Sequence, residues 1–174
     1  VSERDHTQGR SDAPVSLVEF GDYECPFCGR AYWVVKEVRE AMGDQLRYVF
    51  RNFPLTQIHP RAELAAEAAE AAGAQGKFWE MHDLIYENQD ALDLESLASF
   101  AAGLGLDTER FLSDLNLRSH AGRVAEDRNS ALRSGVNGTP TFFINGIRHD
   151  GPTDFESLLN ALQAEARGRT REAG

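Results

Sequence analysis

The only two cysteines in 174 residues stand three positions apart, in Glu24-Cys25-Pro26-Phe27-Cys28-Gly29, where an apolar run meets a helix-like pattern. A ring closed by so short a loop removes little entropy from the unfolded chain, so a Cys25–Cys28 disulfide would be a poor staple. Its chemical value lies in opening and closing. Cys25 is expected at the start of a helix, where unpaired N–H groups and the helix dipole favour a thiolate. Pro26 suits the first helical position, because its missing N–H is not needed there. Cys25 is therefore the candidate nucleophile. Cys28, one turn further in, can attack a mixed disulfide formed at Cys25 and is the candidate resolving thiol. The competing readings are a structural zinc site, a purely structural disulfide, or two inert thiols. Zinc normally takes four ligands, and His6, His59, His82, His120 and His149 supply no second pair at ligand spacing, so neither a metal nor a cofactor is expected.

The rest of the composition sets bounds. With 41% hydrophobic residues the chain can bury a core without disulfide support, and one domain, or one domain with an insertion, is expected. A formal charge of −10 argues against nucleic acid or an anionic membrane as partner. No apolar run is long enough to span a bilayer, so no membrane insertion is expected, and Val1–His6 has no apolar leader.

The elements that would position the dithiol follow in order. Residues 1–13 are polar and aperiodic and read as a loose arm. Val15–Phe20 reads as a strand apolar on both faces, as in the centre of a parallel sheet, interrupted by Glu19. That carboxylate either finds a partner, has its pKa raised by burial, or faces water. From Phe27 to Met42 apolar positions recur at helical spacing. Gly43 ends the helix, and Leu46–Arg51 reads as a second strand, so the opening is β-α-β with the dithiol at the carboxyl end of the first strand, the usual place for chemistry in an open α/β sheet. Pro60 can open a helix, with His59 near its cap or, alternatively, near the dithiol. Residues 61–72 form an alanine and glutamate helix, its small side chains packed and its glutamates solvated. Phe78–Tyr86 reads as a core-facing aromatic helix. Asp93 and Asp107 are placed to cap two short helices, and residues 119–134 form another, with Ala121, Val124, Ala125 and Leu132 on its apolar face. Thr141–Ile144 and Ile147–His149 flank Asn145-Gly146, a type I′ hairpin signal. Thr153 and Glu156 read as a capping box for a final helix, and residues 168–174 as a loose end.

This order, together with Cys25-Pro26-Phe27-Cys28 and Gly138-Thr139-Pro140-Thr141-Phe142-Phe143, resembles the thioredoxin superfamily, in particular its DsbA-like branch, over residues 12–166. The resemblance implies an α/β thioredoxin-like fold: a discontinuous domain of residues 14–56 and 119–167, a helical insertion domain at 57–118, and loose termini at 1–13 and 168–174. It implies a bacterial protein disulfide oxidoreductase with Cys25 as nucleophile and Cys28 as resolving thiol. Pro140 is then in a cis peptide bond facing the dithiol, the Thr139 backbone pairs with an extended substrate, and Pro26 and Phe27 touch that substrate. It also implies that Glu19 is a buried acid beneath the dithiol, taking the Cys28 proton, with a raised pKa.

The departure from the strongly oxidising relatives is Pro26-Phe27 where those carry Pro-His. Phe27 offers the thiolate no donor, and Glu24 and Asp22 are expected to oppose it, which predicts a more reducing poise. The leading expectation is thiol–disulfide exchange with protein or small-molecule substrates, by a monomer reset by an unidentified redox partner. Disulfide isomerisation and a non-redox peptide-binding module are the alternatives, with glutathione-linked transfer more distant. The lack of a leader and of structural disulfides points to the cytoplasm; a removed leader would place the chain in the periplasm or outside the cell.

Overall fold

The computed structural model describes residues 1–172, with side chains through 169. They fall into two compact units, one of residues 1–20, 30–51 and 140 onward, the other of residues 21–29 and 52–139.

The first unit is built on a five-stranded sheet of β1 (His6–Gln8), β2 (Val15–Gly21), β3 (Leu46–Asn52), β4 (Thr141–Ile144) and β5 (Ile147–Arg148), in the order β1-β3-β2-β4-β5. β2 is central, which is why its apolar run is buried on both faces, with only Ser16 half-exposed. The sheet is not the all-parallel one that this run suggests: β1 with β3, β2 with β4 and β4 with β5 are antiparallel. Helix α1 (Pro26–Met42) places Ala31, Val35, Val38 and Met42 in the core at helical spacing. Gly43, at φ +51°, ends it in a conformation that glycine tolerates best. Asn145 (φ +48°) and Gly146 (φ +82°) make the tight turn of the β4–β5 hairpin, and Asn145 Oδ1 also accepts the Ser16 N–H at 2.9 Å.

The arm at 1–13 is not loose throughout. Its strand β1 is tied down by Asp5, whose two oxygens accept from Arg51 Nε and Nη2 at 2.8 and 2.9 Å. Burial acts to raise the Asp5 carboxyl, but these bonds, the Ser2 N–H and the Arg51 charge outweigh it and hold the carboxyl at about 2. At the other end α7 (Phe155–Glu172) continues through residues 168–172 of the expected loose end, while 173–174 lie outside the described residues. Its first turn is capped by Asp154, which accepts the Ser157 N–H at 3.0 Å, and not by the Thr153–Glu156 box.

The second unit is helical: α2 (Ala62–Gly73), α3 (Phe78–Glu87), α4 (Leu94–Gly103), α5 (Thr108–Asn116) and α6 (Ala121–Arg133). α2 packs against the other four, and its seven buried alanines allow that close approach. Its glutamates are not a solvated face. Glu67 and Glu70 are buried; Glu67 pairs with Arg118 at 3.0 Å, and Glu70 accepts the Asn52 amide at 2.8 Å. Asp93 and Asp107 cap α4 and α5 through the Ser96 and Arg110 N–H groups. On α6 the buried face is Val124, Asp127 and Ala131, whereas Ala125 and Leu132 are exposed. A buried aspartate took the place that apolar counting gives to leucine.

Candidate active site

The chain leaves β2 at Gly21, whose carbonyl accepts the Phe53 N–H at 2.8 Å. The next residue organises the loop that carries the dithiol. Asp22 is 1% exposed, and its carboxylate accepts four hydrogen bonds: Oδ1 from the N–H groups of Glu24 (2.8 Å) and Cys25 (3.2 Å), Oδ2 from the Leu55 N–H (2.8 Å) and from His59 Nδ1 (2.8 Å). A buried carboxylate needs such donors, and here each one fixes a piece of loop. Pro60 lies in a turn and α2 starts two residues later, so His59 is not a helix cap; it joins the Asp22 cluster. Asp22 also donates its own N–H to Cys28 Sγ at 3.4 Å.

Pro26 is the first residue of α1, which puts Cys25 in the capping position, its sulfur in the place usually taken by a capping oxygen. Both cysteines are buried. The Cys25 thiol is drawn down from its ordinary 9.0 to about 5. The largest cause is the hydrogen bond from the Cys28 thiol. Burial opposes it, and the N–H groups of Cys28 and Phe27 add to the lowering. Cys25 Sγ lies 3.7 Å from the Thr139 carbonyl oxygen, a contact that the thiol, but not the thiolate, can make as donor.

The expectation that Phe27, Glu24 and Asp22 leave the thiolate poorly stabilised is corrected by this arrangement. Phe27 contributes through its backbone N–H. The Glu24 carboxylate accepts the Arg61 N–H at 2.7 Å, and Asp22 binds loop donors.

Of the residues singled out in the sequence, Cys25, Cys28, Pro26, Phe27 and Thr139 lie within the second unit, and Cys25, Cys28 and Thr139 are in contact there. Phe27 is 61% exposed between the two buried cysteines. Glu19 and Pro140 belong to the first unit. Glu19 faces no water: it is 1% exposed, and Tyr48 donates its hydroxyl to Oε2 at 2.6 Å. Pro140 is half-buried immediately before β4.

Two residues that the sequence reading passed over also hold the loop. Tyr23 is 1% exposed, and its hydroxyl lies 2.9 Å from His82 Nδ1, within an aromatic cluster that includes Tyr86. Gln89, in the turn after α3, donates from Nε2 to the carbonyls of Tyr23 and Cys25, both at 2.9 Å. Among the described residues no group of three or more His, Cys, Asp or Glu is arranged to hold a metal ion.

Comparison with known proteins gives a consistent placement. Residues 1–164 match the Thioredoxin_4 family model, described as thioredoxin. A solved thioredoxin-like oxidoreductase from Silicibacter pomeroyi is 28% identical, with a TM-score of 0.81 over 99% of this chain and 95% of that one. The α-DsbA1 of Wolbachia pipientis is 20% identical and shares the fold, with a TM-score of 0.87 over 100% of this chain and 96% of that one. A curated relative from Mycolicibacterium vanbaalenii, named Na(+)/H(+) antiporter NhaA 1, is 49% identical over 95% of this chain but only 27% of its own length. The chain spans about a quarter of the length of the curated relatives it matches. Among the described residues no helix is long and apolar enough to cross a membrane. The chain belongs to the thioredoxin superfamily and has the DsbA-like form of its fold, an α/β thioredoxin domain with a helical insertion.

Proposed function

We propose that the chain is a thiol–disulfide oxidoreductase whose working pair is Cys25 and Cys28, exchanging with protein or small-molecule thiols and disulfides. The observation that carries this reading is the Cys25 thiol, at the capping position of α1 and drawn down to about 5. At neutral pH it is almost entirely thiolate, which makes it both a ready nucleophile and a good leaving group.

In the oxidised form a substrate thiolate attacks Cys25 Sγ. The Cys25–Cys28 bond breaks, and Cys28 leaves and takes a proton. A second substrate thiolate then attacks the substrate sulfur of the mixed disulfide and expels Cys25 as its stabilised thiolate. Two electrons pass from substrate to dithiol, and an oxidising partner must restore the Cys25–Cys28 bond. Stabilising the reduced form favours this direction, so the low thiol pKa supports an oxidising poise over the reducing one that Phe27 and Glu24 suggest. In the reverse direction Cys28 must lose its proton before attacking Cys25, and Glu19 is the proposed acceptor; its burial in β2 and the hydrogen bond it accepts from the Tyr48 hydroxyl support an internal role. The Thr139 backbone would pair with an extended substrate, and Pro140, having no N–H, adds no competing donor. Pro26 and the exposed Phe27 ring offer that substrate an apolar surface beside the nucleophile.

The test is the redox equilibrium of the pair against glutathione. An oxidising potential is expected, with Cys28→Ser trapping mixed disulfides. A potential at or below the glutathione poise would overturn the direction, and failure to exchange at all would overturn the function.

A second reading rests on the relatives named as Na(+)/H(+) antiporters, about half identical across nearly all of this chain. We infer that the domain works beside a membrane antiporter of that kind. Trapping with Cys28→Ser in the native membrane, followed by mass spectrometry, should recover such a protein; recovery of unrelated proteins alone would overturn this reading.

A further inference from the structure

Gly29 is the fourth residue of α1, in its first turn, where glycine is a poorer helix former than alanine. Nothing in the helix itself asks for it, since no positive φ is involved. The reason lies in a neighbour. A Cβ built on Gly29 would stand 2.1 Å from Gln89 Oε1, 2.7 Å from its Cδ and 3.0 Å from its Nε2. The Gln89 carboxamide therefore lies against the bare face of Gly29, closer than any other side chain at that position would allow.

From that seat Gln89 uses both hydrogens of its amide nitrogen, one on the Tyr23 carbonyl and one on the Cys25 carbonyl. The Cys25 carbonyl also accepts the Gly29 N–H at 3.0 Å, the first helical bond of α1. One side chain thus ties together the residue two before the nucleophile, the nucleophile, and the first turn of the helix whose N–H groups face its sulfur. We propose that Gln89 is a positioning residue for the dithiol, a latch that holds the Tyr23–Cys25 turn against the start of α1, and that Gly29 is glycine in order to admit it. This rests on the thiol–disulfide reading for its purpose, but not for its geometry.

The mechanism is preorganisation. The N–H groups of Phe27 and Cys28 stabilise the Cys25 thiolate only while the sulfur is held over them. Asp22 fixes this turn from its N–H side. Gln89 fixes it from its carbonyl side. Without the latch, two carbonyls lose their side-chain donor, the turn gains freedom, and the thiolate loses its alignment with the helix N-terminus.

The experiment measures the pH profile of Cys25 alkylation in reduced protein, which needs no redox partner or substrate and is therefore readable even if the wild type fails to exchange disulfides. Gln89→Ala should shift the midpoint of that profile upward by about one pH unit, a roughly tenfold loss of thiolate below the midpoint. Gly29→Ala should give the same shift, because the new methyl expels the carboxamide. In the double variant Gly29→Ala should add nothing to the profile and should raise the melting temperature relative to Gln89→Ala, since the collision is gone and alanine is the better helix former. Unchanged profiles in both single variants, or shifts that add in the double variant, would overturn the proposal. A single variant that fails to fold leaves the double variant to decide, because the predicted removal of the collision makes it the more stable partner of the cycle. If the profiles couple as described while the wild type exchanges no disulfide, the latch stands and the proposed function falls.

Discussion

His59 Nδ1 stands 2.8 Å from Asp22 Oδ2, on the same carboxylate whose other oxygen accepts the Cys25 N–H. A residue from the loop before α2 is therefore one side chain removed from the nucleophile. Asp22 serves this loop as a buried anchor with four donors, and truncating its side chain leaves the Glu24 and Leu55 N–H groups without their acceptor, while the Cys25 N–H keeps the Asp22 backbone carbonyl at 3.1 Å. Asp22→Ala should cost about 3 kcal/mol of stability, while His59→Ala, which leaves the backbone donors satisfied, should cost about 1 kcal/mol. Chemical denaturation of the reduced proteins checks both. Equal losses would mean that His59, not the backbone, is what Asp22 holds.

The Cys25–Cys28 relationship gives a prediction in pH. The Cys28 thiol is the largest cause of the lowered Cys25 pKa, so Cys28→Ala should raise the Cys25 titration well above 5. Linkage gives the sign for stability. The native thiol titrates at about 5 and the unfolded one near 9.0, so between those values the unfolded chain binds the extra proton. The contribution is complete above the unfolded value and is lost as pH falls through about 5. Reduced protein should therefore gain stability from pH 5 toward pH 9 relative to a Cys25→Ala variant, as followed by denaturation midpoints. A parallel pair of curves would contradict the lowered pKa.

What the sequence could reveal was what is local. The β2 run, the α1 periodicity, the Asn145-Gly146 turn and the Asp93 and Asp107 caps each depend on residues a few positions apart, and each stands where the pattern put it. The dithiol was legible for the same reason. Its support was not, because Asp22 draws on Leu55 and His59, and the loop carbonyls draw on Gln89. The one local trace of that support is Gly29, a glycine inside a helix with no conformational need for it. β1 escaped notice because three polar residues have no periodicity, and its anchor is Arg51, far along the chain. The buried glutamates of α2 read as surface because the partners that make burial tolerable, Arg118 and Asn52, come from outside the helix.

Asn52 leads to the last prediction. Its side-chain amide donates to Glu70 Oε1 at 2.8 Å and to Asp127 Oδ2 at 3.0 Å, and its backbone N–H donates to the same Asp127 oxygen at 3.0 Å. Two buried carboxylates thus share one amide. Burial pushes the Asp127 carboxyl above its ordinary 3.8, and the nearby Glu70 charge adds to that, against the Asn52 hydrogen bonds and the Arg123 charge. A carboxyl whose folded pKa is raised stabilises the fold most below the unfolded value, and that contribution is lost as pH rises through the folded pKa. Asp127→Asn keeps an acceptor for the Asn52 N–H and cannot ionise, so its stability should stay level across that rise while the wild type declines. Asn52→Ala, which withdraws the side-chain amide from both acids and leaves Asp127 only the backbone N–H of residue 52 from this partner, should instead cost about 3 kcal/mol at neutral pH and lose less on mild acidification, when Asp127 takes up its proton. Thermal melts of the two variants and the wild type from acid to neutral pH decide the matter: an Asp127→Asn curve that declines in step with the wild type would show that Asp127 is not the group responsible.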